Sequence, residues 1–455
     1  MTSAADDILK RSPRLSTVSL AVLVLVTFFT ALYMKGLNSG IPLYYDSIGR
    51  SATVGGTFVA VFTLASTAMR LVGGQITDHF AHYRVLLASL AGLLVGVAVP
   101  ALCDAFAVVM ASRVLQGASF ALATNVMTVA VMGSASVKHI GKRVGIKGAG
   151  TSLGTMLGAL VSTWLLDGVG YQGFYAFYAA IIVVAIGAVL LLHLAERARG
   201  ARTGDAQDAG APGAKATAQD AGHAPSASGD AVAAPASDAS GAKAQAAGGA
   251  AATRRERLRA LIAPYLIPEV APFLAVSFAR RLPKGFCIAF ILVFARHVGI
   301  AAGAAFFVVA GGTTLLCRLC GGRLFDSDRT WLLLPLISVQ IVGFALLAIA
   351  PSLTTLIVAA VGYGISVGTT SPFIKTLTAK SAPREHWGVV NGELYFFGDM
   401  GKAIGAFAGG LLIDATSKAL VPEIALGFAV LTAALTAIAL LVGHIMRGRS
   451  AAKAA

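Results

Sequence analysis

Long apolar runs alternate with short polar connections along most of the chain. A helix needs about 20 mainly apolar residues to cross the core of a bilayer, and twelve runs approach that length. They form two sets of six, which we number as helices 1 to 12. The pattern predicts an all-α membrane protein with 12 transmembrane helices, over residues 17–43, 52–76, 85–103, 106–132, 144–166 and 173–194 in the first set and 270–297, 302–324, 331–350, 353–377, 388–413 and 422–446 in the second.

A polar segment over residues 196–260 separates the two sets. It is rich in Ala, Gly, Ser and Asp and contains few large apolar residues, so it cannot bury a core and is predicted to be a disordered cytoplasmic linker. The predicted organisation is therefore a cytoplasmic tail (1–16), an N-terminal six-helix bundle (17–195), the linker, a C-terminal six-helix bundle (261–446) and a second cytoplasmic tail (447–455).

Composition supports a chain that lies in lipid. Hydrophobic residues make up 56% of it and charged residues only 13%, whereas soluble proteins carry about a quarter charged residues. The formal net charge is +15. Lys and Arg nevertheless occur in short runs between apolar stretches, which is typical of membrane loops rather than of a surface that binds nucleic acid.

Lys and Arg are divided unevenly between the two ends of the predicted helices. With both termini on one side, the short loops and tails on that side hold thirteen of them without the linker, and the loops on the other side hold only Arg50, Arg296 and Lys418. Positive residues are enriched in cytoplasmic connections. We therefore predict a multi-pass protein of the cell membrane with both termini in the cytoplasm.

The two sets of helices repeat one another. Segment 70–78 (RLVGGQITD) matches segment 318–326 (RLCGGRLFD) at an offset of 248 residues, and segment 154–167 matches segment 401–414 at an offset of 247. Separated matches at nearly the same offset predict two parallel six-helix halves. In transporters built this way, the substrate binds between the halves near the midplane of the bilayer.

Two motifs connect the chain to a known family. Segment 73–84 (GGQITDHFAHYR) and segment 113–117 (RVLQG) resemble signatures of the major facilitator superfamily, and Gly150, Gly154 and Gly158 on helix 5 resemble the glycine-rich motif of its 12-helix drug and solute:proton antiporters. The resemblance implies two pseudo-symmetric six-helix bundles and transport rather than enzymatic activity. We expect a monomer with no cofactor, and no His/Cys cluster in the sequence has the spacing of a metal site.

The resemblance also implies a conformational latch at the cytoplasmic ends of the helices. In the family, an Asp at the end of helix 2 contacts the start of helix 11 when the cytoplasmic side is closed, and a carboxylate at a helix N-terminus is stabilised by the helix dipole. Glycines beside it permit close helix packing. The residues that match this latch are Gly74, Asp78, Arg70, Arg84, Asp326 and Arg318.

Charges also occur inside predicted membrane spans. Helix 7 contains Arg280, Arg281 and Lys284, which share one face at 100° per residue. A charge facing lipid near the bilayer centre costs about 2.5–3.5 kcal/mol. The three cations are therefore expected to face an aqueous substrate cavity or to pair with Asp399 and Glu393 in a static network, and both interpretations remain open.

The family resemblance extends this cationic group, because helices 1, 4, 7 and 10 line the cavity in that family. The repeat aligns Lys35 of helix 1 with Gly285 of helix 7, which places Lys35 at a depth similar to that of Lys284. A positive field in a low dielectric suits an anionic substrate group. The predicted substrate-binding residues are Lys35, Arg113, Arg280, Arg281 and Lys284.

Buried acids are the candidates for proton coupling. Asp399 in the middle of helix 11 is the first candidate and Glu393 the second, and Arg113 joins them through the family motif. Since no nucleotide-binding motif is present, the energy is expected to come from a proton gradient. The predicted function is proton-coupled export of a small organic anion or zwitterion by alternating access. Alternatives are an importer or facilitator of an organic anion, and a non-transporting membrane receptor or scaffold.

Overall fold

The computed structural model is helical over nearly all the residues that it describes, which are 17–103, 105–133, 140–208, 269–320, 324, 329–382 and 387–454. Its helices follow the predicted order. Those of the first half are α1 (Thr17–Ser47), α2 (Ala52–His79), α3 (His82–Leu102), α4 (Phe106–Gly133), α5 (Ile140–Gly168) and α6 (Gly170–Asp208). Those of the second half are α7a (Ala271–Ala279), α7b (Leu282–His297), α8 (Ala305–Cys320), α9 (Leu333–Ile349), α10 (Leu353–Lys380), α11 (Trp387–Ala415) and α12 (Val421–Ala454).

The apolar helices account for the predicted spans. In the described part of the chain, ten helices are long and apolar enough to cross a membrane, and α8 is a shorter apolar helix. The consecutive helices α7a and α7b occupy the position of predicted helix 7. Together these helices confirm a multi-pass membrane protein with the predicted all-α, 12-helix fold.

Helix α6 extends further than the apolar pattern indicates. It ends at Asp208, so its last turns fall within the predicted linker. Residues 209–260 of that linker and the predicted tail 1–16 lie outside the described residues. The linker and the bundle limits therefore stay predictions.

The prediction of one continuous helix 7 is wrong, because the helix is broken at Arg280 and Arg281. The physical reason is Pro283. Proline has no backbone N–H, so it cannot donate to the carbonyl of Ala279, four residues earlier. The hydroxyl of Thr432 on α12 lies 2.8 Å from that carbonyl and 2.7 Å from the carbonyl of Phe428, so its single proton is shared between the two. It thereby offers a donor to a backbone group that lipid would leave unpaired.

Glycines pack one helix closely against another at equivalent places in the two halves. A Cβ atom added to Gly154 on α5 would lie 2.4 Å from the carbonyl oxygen of Phe28 on α1, and one added to Gly401 on α11 would lie 2.1 Å from that of Phe278 on α7a. The repeated glycines therefore have the same packing role twice. These contacts also pair α1 with α7 at a spacing of 250 residues.

The two halves meet through pairs of helices, one from each half. Helix α2 packs against α11, α5 against α8, and α1 against α7b. The apolar core of the first half surrounds buried aromatic residues such as Phe174 and Tyr178, and that of the second half surrounds Phe286, Phe290 and Phe344. Lys35, Lys402 and Asp399 are buried where helices of the two halves meet.

Candidate functional site

A cavity of about 500 Å³ lies between α2 and α4 of the first half and α11 of the second. It extends from the middle of these helices toward the side at which α1 begins, which we call the terminal side; the opposite end is the far side. Its wall is mainly polar or charged where the two halves face each other. The lining residues are Thr67, Arg70, Ala121, Thr124, Asn125, Thr128, Gly392, Tyr395, Phe396 and Asp399.

Asp399 lies at the inner end of this cavity and connects the two halves. Its carboxylate is buried and accepts hydrogen bonds from Arg281 Nη1 at 2.5 Å and from Arg70 Nη1 at 3.3 Å. The hydroxyl of Thr67 lies 3.3 Å away. One arginine comes from each half, so the charge of Asp399 stabilises the contact between α2, α11 and the break in α7.

Tyr395 lies one helical turn before Asp399 and supports the same arginines. The guanidinium carbons of Arg70 and Arg281 lie 5.7 Å and 5.8 Å from the centre of its ring, which is within the range of a cation–π contact. Lys375 donates a hydrogen bond to its hydroxyl at 2.6 Å. Sequence reasoning missed Tyr395, although its spacing of four residues from Asp399 places both on one face of a helix.

Arg113 is fully buried and its donors are directed at protein groups. It donates to the side chain of Asn38, to Gln116 Oε1 at 2.6 Å and to the carbonyl oxygen of Phe58 at 3.3 Å. Its guanidinium carbon lies 4.6 Å from the centre of the Phe62 ring. In this conformation Arg113 joins α1, α2 and α4, and it is not among the residues that line the cavity.

Four other cations lie on α1, α7 and α11, and none forms an ion pair with a described carboxylate. Lys35 is buried, and no described group accepts a hydrogen bond from its Nζ; that atom lies 3.2 Å from the centre of the Phe307 ring. Lys402 and Arg280 are also buried, and the Nε of Arg280 has no described partner. Lys284 is half-buried.

Glu393 lies on α11 closer to the terminal side than Asp399. It is buried, and neither carboxylate oxygen has a hydrogen-bond partner among the described groups. Burying an ionised carboxylate without a partner is costly. In this conformation no described group holds Glu393 in an ion pair.

Comparisons with known proteins place this arrangement in a family. The model of the Major Facilitator Superfamily matches residues 23–295, which is more than half of the chain. The chain belongs to the Major Facilitator Superfamily. It is a membrane transporter and not an enzyme. A comparison with curated protein sequences finds no match.

Solved structures of other facilitators share the fold. A POT family transporter in complex with 5-aminolevulinic acid is 12% identical, with a TM-score of 0.67 over 96% of this chain and 99% of that one. A peptide transporter POT in complex with sulfate is 13% identical, with a TM-score of 0.68 over 96% and 98%. The nucleoside transporter NupG is 13% identical, with a TM-score of 0.65 over 92% and 99%. Likeness at this identity shows the fold alone.

The latch implied by the facilitator resemblance is described only in part. The surroundings of Gly74 and the side chains of Asp78 and Asp326 lie outside the described part. Arg84 is exposed and donates to the hydroxyl of its neighbour Tyr83 at 3.1 Å. Arg318 is exposed on α8, and Arg70 contacts Asp399 instead. The latch therefore stays a prediction, whereas Arg70 forms an ion pair with Asp399 in the cavity.

On the far side, the facilitator halves are joined by Asp414. Its carboxylate accepts hydrogen bonds from the backbone N–H groups of Ala52 at 2.7 Å and Thr53 at 2.8 Å. These N–H groups form the start of α2, which helical bonds cannot satisfy. Asp414 at the end of α11 thus caps a helix of the other half.

Two ion pairs reinforce the far side. Asp167, the repeat counterpart of Asp414, pairs with Arg296, and Lys418 Nζ lies 2.6 Å from Asp46 Oδ1. Each pair connects the two halves. The repeat made Asp167 and Asp414 visible in the sequence, but their partners depend on how the helices of the two halves meet.

Proposed function

We propose that this facilitator is a proton-coupled exporter of a small organic anion or zwitterion and works by alternating access. One observation carries the proposal: Asp399 holds an arginine from each half at the inner end of a cavity, beside buried cations with no carboxylate partner. A site of this kind can exchange a proton and bind an anionic group at the surface where the halves meet.

The substrate class follows from the balance of charge. Asp399 is the one described carboxylate that forms an ion pair at this centre, and it is shared by Arg70 and Arg281. Lys35, Lys284 and Lys402 have no carboxylate partner in the part of the chain that the structure describes. Ionised groups are stable in a low dielectric only when they are paired, so an anionic group of the substrate is the natural counter-charge.

Proton coupling is assigned to Asp399 and Glu393. A proton on Asp399 would remove the charge that holds Arg281 and Arg70, and so would weaken the contact between the halves. Glu393 lies on the same helix one to two turns nearer the terminal side, and could pass protons between the cavity and that side. Arg113 would adjust the first half when its hydrogen bonds to Asn38 and Gln116 rearrange.

Alternating access fits the distribution of contacts. The far side is joined by the Asp414 cap and by two ion pairs, whereas the cavity extends toward the terminal side. With the termini in the cytoplasm, as the positive loops predict, this conformation is open inward and closed outward. Breaking the far-side contacts would lead to the opposite conformation.

The direction of transport rests on the resemblance of the helix 5 glycines to those of antiporters. A second candidate, an importer or facilitator of an organic anion, is favoured by the pairing of Asp399 with Arg281. Protonation of Asp399 would free Arg281 to bind the substrate, so that proton and anion would bind together. Binding together is the order of events in symport.

Transport assays can test the proposal and separate the two directions. Purified protein is first screened for thermal stabilisation by organic anions, zwitterions, cations and sugars, and the best ligand is then followed in oriented vesicles with and without a pH gradient. An exporter will move it out of the cytoplasmic side as protons enter, and a symporter will move both in the same direction. Stabilisation mainly by lipophilic cations would overturn the anion site.

A further inference from the structure

Three lysines from three different helices come together just beyond the inner end of the cavity. Lys35 lies on α1, Lys284 on α7b and Lys402 on α11, three residues after Asp399. Lys35 and Lys402 are more than nine-tenths buried. Their ammonium groups lie within electrostatic range of one another, and each repels the others.

Close helix packing brings these lysines together. A Cβ atom added to Gly285, the neighbour of Lys284, would lie 1.9 Å from the carbonyl oxygen of Lys402, so α7b and α11 touch at this level. Lys35 approaches from α1, and its ammonium lies over the ring of Phe307 on α8. The group therefore draws on both halves of the transporter.

No described acid neutralises the three ammonium groups. Asp399 is the nearest carboxylate along α11 and lies within electrostatic range of Lys402 and Lys284, but its ion pairs are formed with Arg281 and Arg70. Glu393 lies two turns further from Lys402. A ring face stabilises a cation only weakly compared with a carboxylate, so the contact of Lys35 with Phe307 does not replace a counter-ion.

We propose that Lys35, Lys284 and Lys402 form one binding site for a solute with two or more anionic groups, such as a dicarboxylate or a phosphate ester. Each of the three compact ammonium groups has three hydrogen-bond donors. Together they match a ligand with several separate anionic oxygens better than a ligand with a single carboxylate. The inference rests on the proposed function and narrows its substrate class from any organic anion to a multiply charged one.

Matched ligand pairs test this inference on the wild-type protein. Binding to the purified full chain is measured by calorimetry at constant ionic strength for succinate against monomethyl succinate, and for glycerol phosphate against its singly charged methyl ester. Since hydrogen bonds to charged groups contribute about 1.5–3 kcal/mol, the doubly charged member should bind about tenfold more tightly or better. If neither dianion binds more tightly than its partner, the inference is overturned.

Substitutions then assign the site. Lys35→Gln, Lys284→Gln and Lys402→Gln should each weaken dianion binding about tenfold and reduce the advantage of succinate over its monoester. Arg50→Gln is the matched control, because it removes one positive charge from an exposed position. It should leave the affinities for succinate and for its monoester unchanged. Unchanged succinate affinity in all three folded lysine variants would also contradict the inference.

The outcomes separate this inference from the proposed function. If monomethyl succinate or 4-aminobutyrate binds as tightly as succinate, the inference of a multiply charged ligand is contradicted. The proposed transport of organic anions or zwitterions is then unaffected. A lipophilic cation that binds when every anion fails would contradict both.

Discussion

Helices α1 and α7 take equivalent positions in the two halves but differ at the level of the charged centre. The glycine contacts pair Leu32 on α1 with Leu282 on α7b, so Pro283 corresponds to Tyr33. Tyr33 has a backbone N–H and α1 continues through it, whereas Pro283 breaks α7 and leaves two arginines in the turn. The same backbone position is therefore rigid in one half and a charged turn in the other.

This difference separates the roles of the two halves. Tyr33 is buried and its hydroxyl donates to the carbonyl oxygen of Leu93 on α3 at 3.1 Å, which ties α1 to its own half. The break in α7 instead sends Arg281 to Asp399 at the boundary with α2. The first half thus provides a closely packed wall, and the second half provides the charged turn to which the proposed function assigns the response to substrate and proton.

The largest effect is expected from Asp399→Asn, which tests whether the charged turn needs its carboxylate. Removing one partner of a buried ion pair costs about 3–5 kcal/mol. We assign most of this cost to the loss of the pair with Arg281, because the side chain of Arg70 is a third exposed. Proton-driven transport should be lost, and the free energy of unfolding in detergent should fall by a large part of this amount.

The double variant Asp399→Asn with Arg281→Gln is the control for that experiment, because it removes both charges of the pair. It should recover part of the lost stability but not proton-driven transport. Wild-type stability and a wild-type proton response in Asp399→Asn would show that the pair is not part of the mechanism.

Glycine substitutions compare the packed seams of the two halves. Gly154→Ala and Gly401→Ala place a methyl group against the backbone of the facing helix, and overpacking of this kind costs about 1–3 kcal/mol. Gly187→Ala and Gly427→Ala are matched controls, since no described atom lies within 4 Å of an added Cβ there. Thermal unfolding measures the stability of each variant. If Gly154→Ala and Gly401→Ala are as stable as these controls, the close packing at the two glycines is contradicted.

The break itself can be tested through Thr432. Thr432→Val leaves the carbonyl of Ala279 without its donor, and an unsatisfied buried group costs about 1–3 kcal/mol. In a Pro283→Ala background the new N–H can donate to that carbonyl, so the same substitution should cost less. A double-mutant cycle on unfolding free energies measures this coupling; independence of the two sites would mean that Pro283 does not determine the need for Thr432.

The smallest effect separates the two far-side aspartates. Asp414→Ala removes a helix cap worth about 1 kcal/mol, whereas Asp167→Ala removes an exposed ion pair worth about 0.2–1 kcal/mol. Asp414→Ala should therefore shift the population further toward a conformation open on the far side. Spin-label distances across that side measure the shift, and an equal or larger shift in Asp167→Ala would reverse the ranking.

The apolar pattern was enough to predict the spans because a bilayer demands long uninterrupted helices. Pro283 is visible in the sequence, but the three charges beside it fit one face of a continuous helix. The compensating Thr432 lies about 150 residues away. Spacing on α11 identified Asp399, yet its pairing with Arg70 depends on how α2 meets α11. The network of Arg113 involves α1 and α2, and no local pattern indicates it.

If the facilitator works as proposed, the lysines that lack a described counter-ion also make it sensitive to membrane voltage. They lie beside Asp399, near the middle of α11, and moving one elementary charge through a full potential of 100 mV involves about 2.3 kcal/mol. An empty carrier that reorients moves this excess positive charge through part of the electric field. A carrier loaded with an anion moves less net charge, so its turnover should respond less to voltage than the return of the empty form.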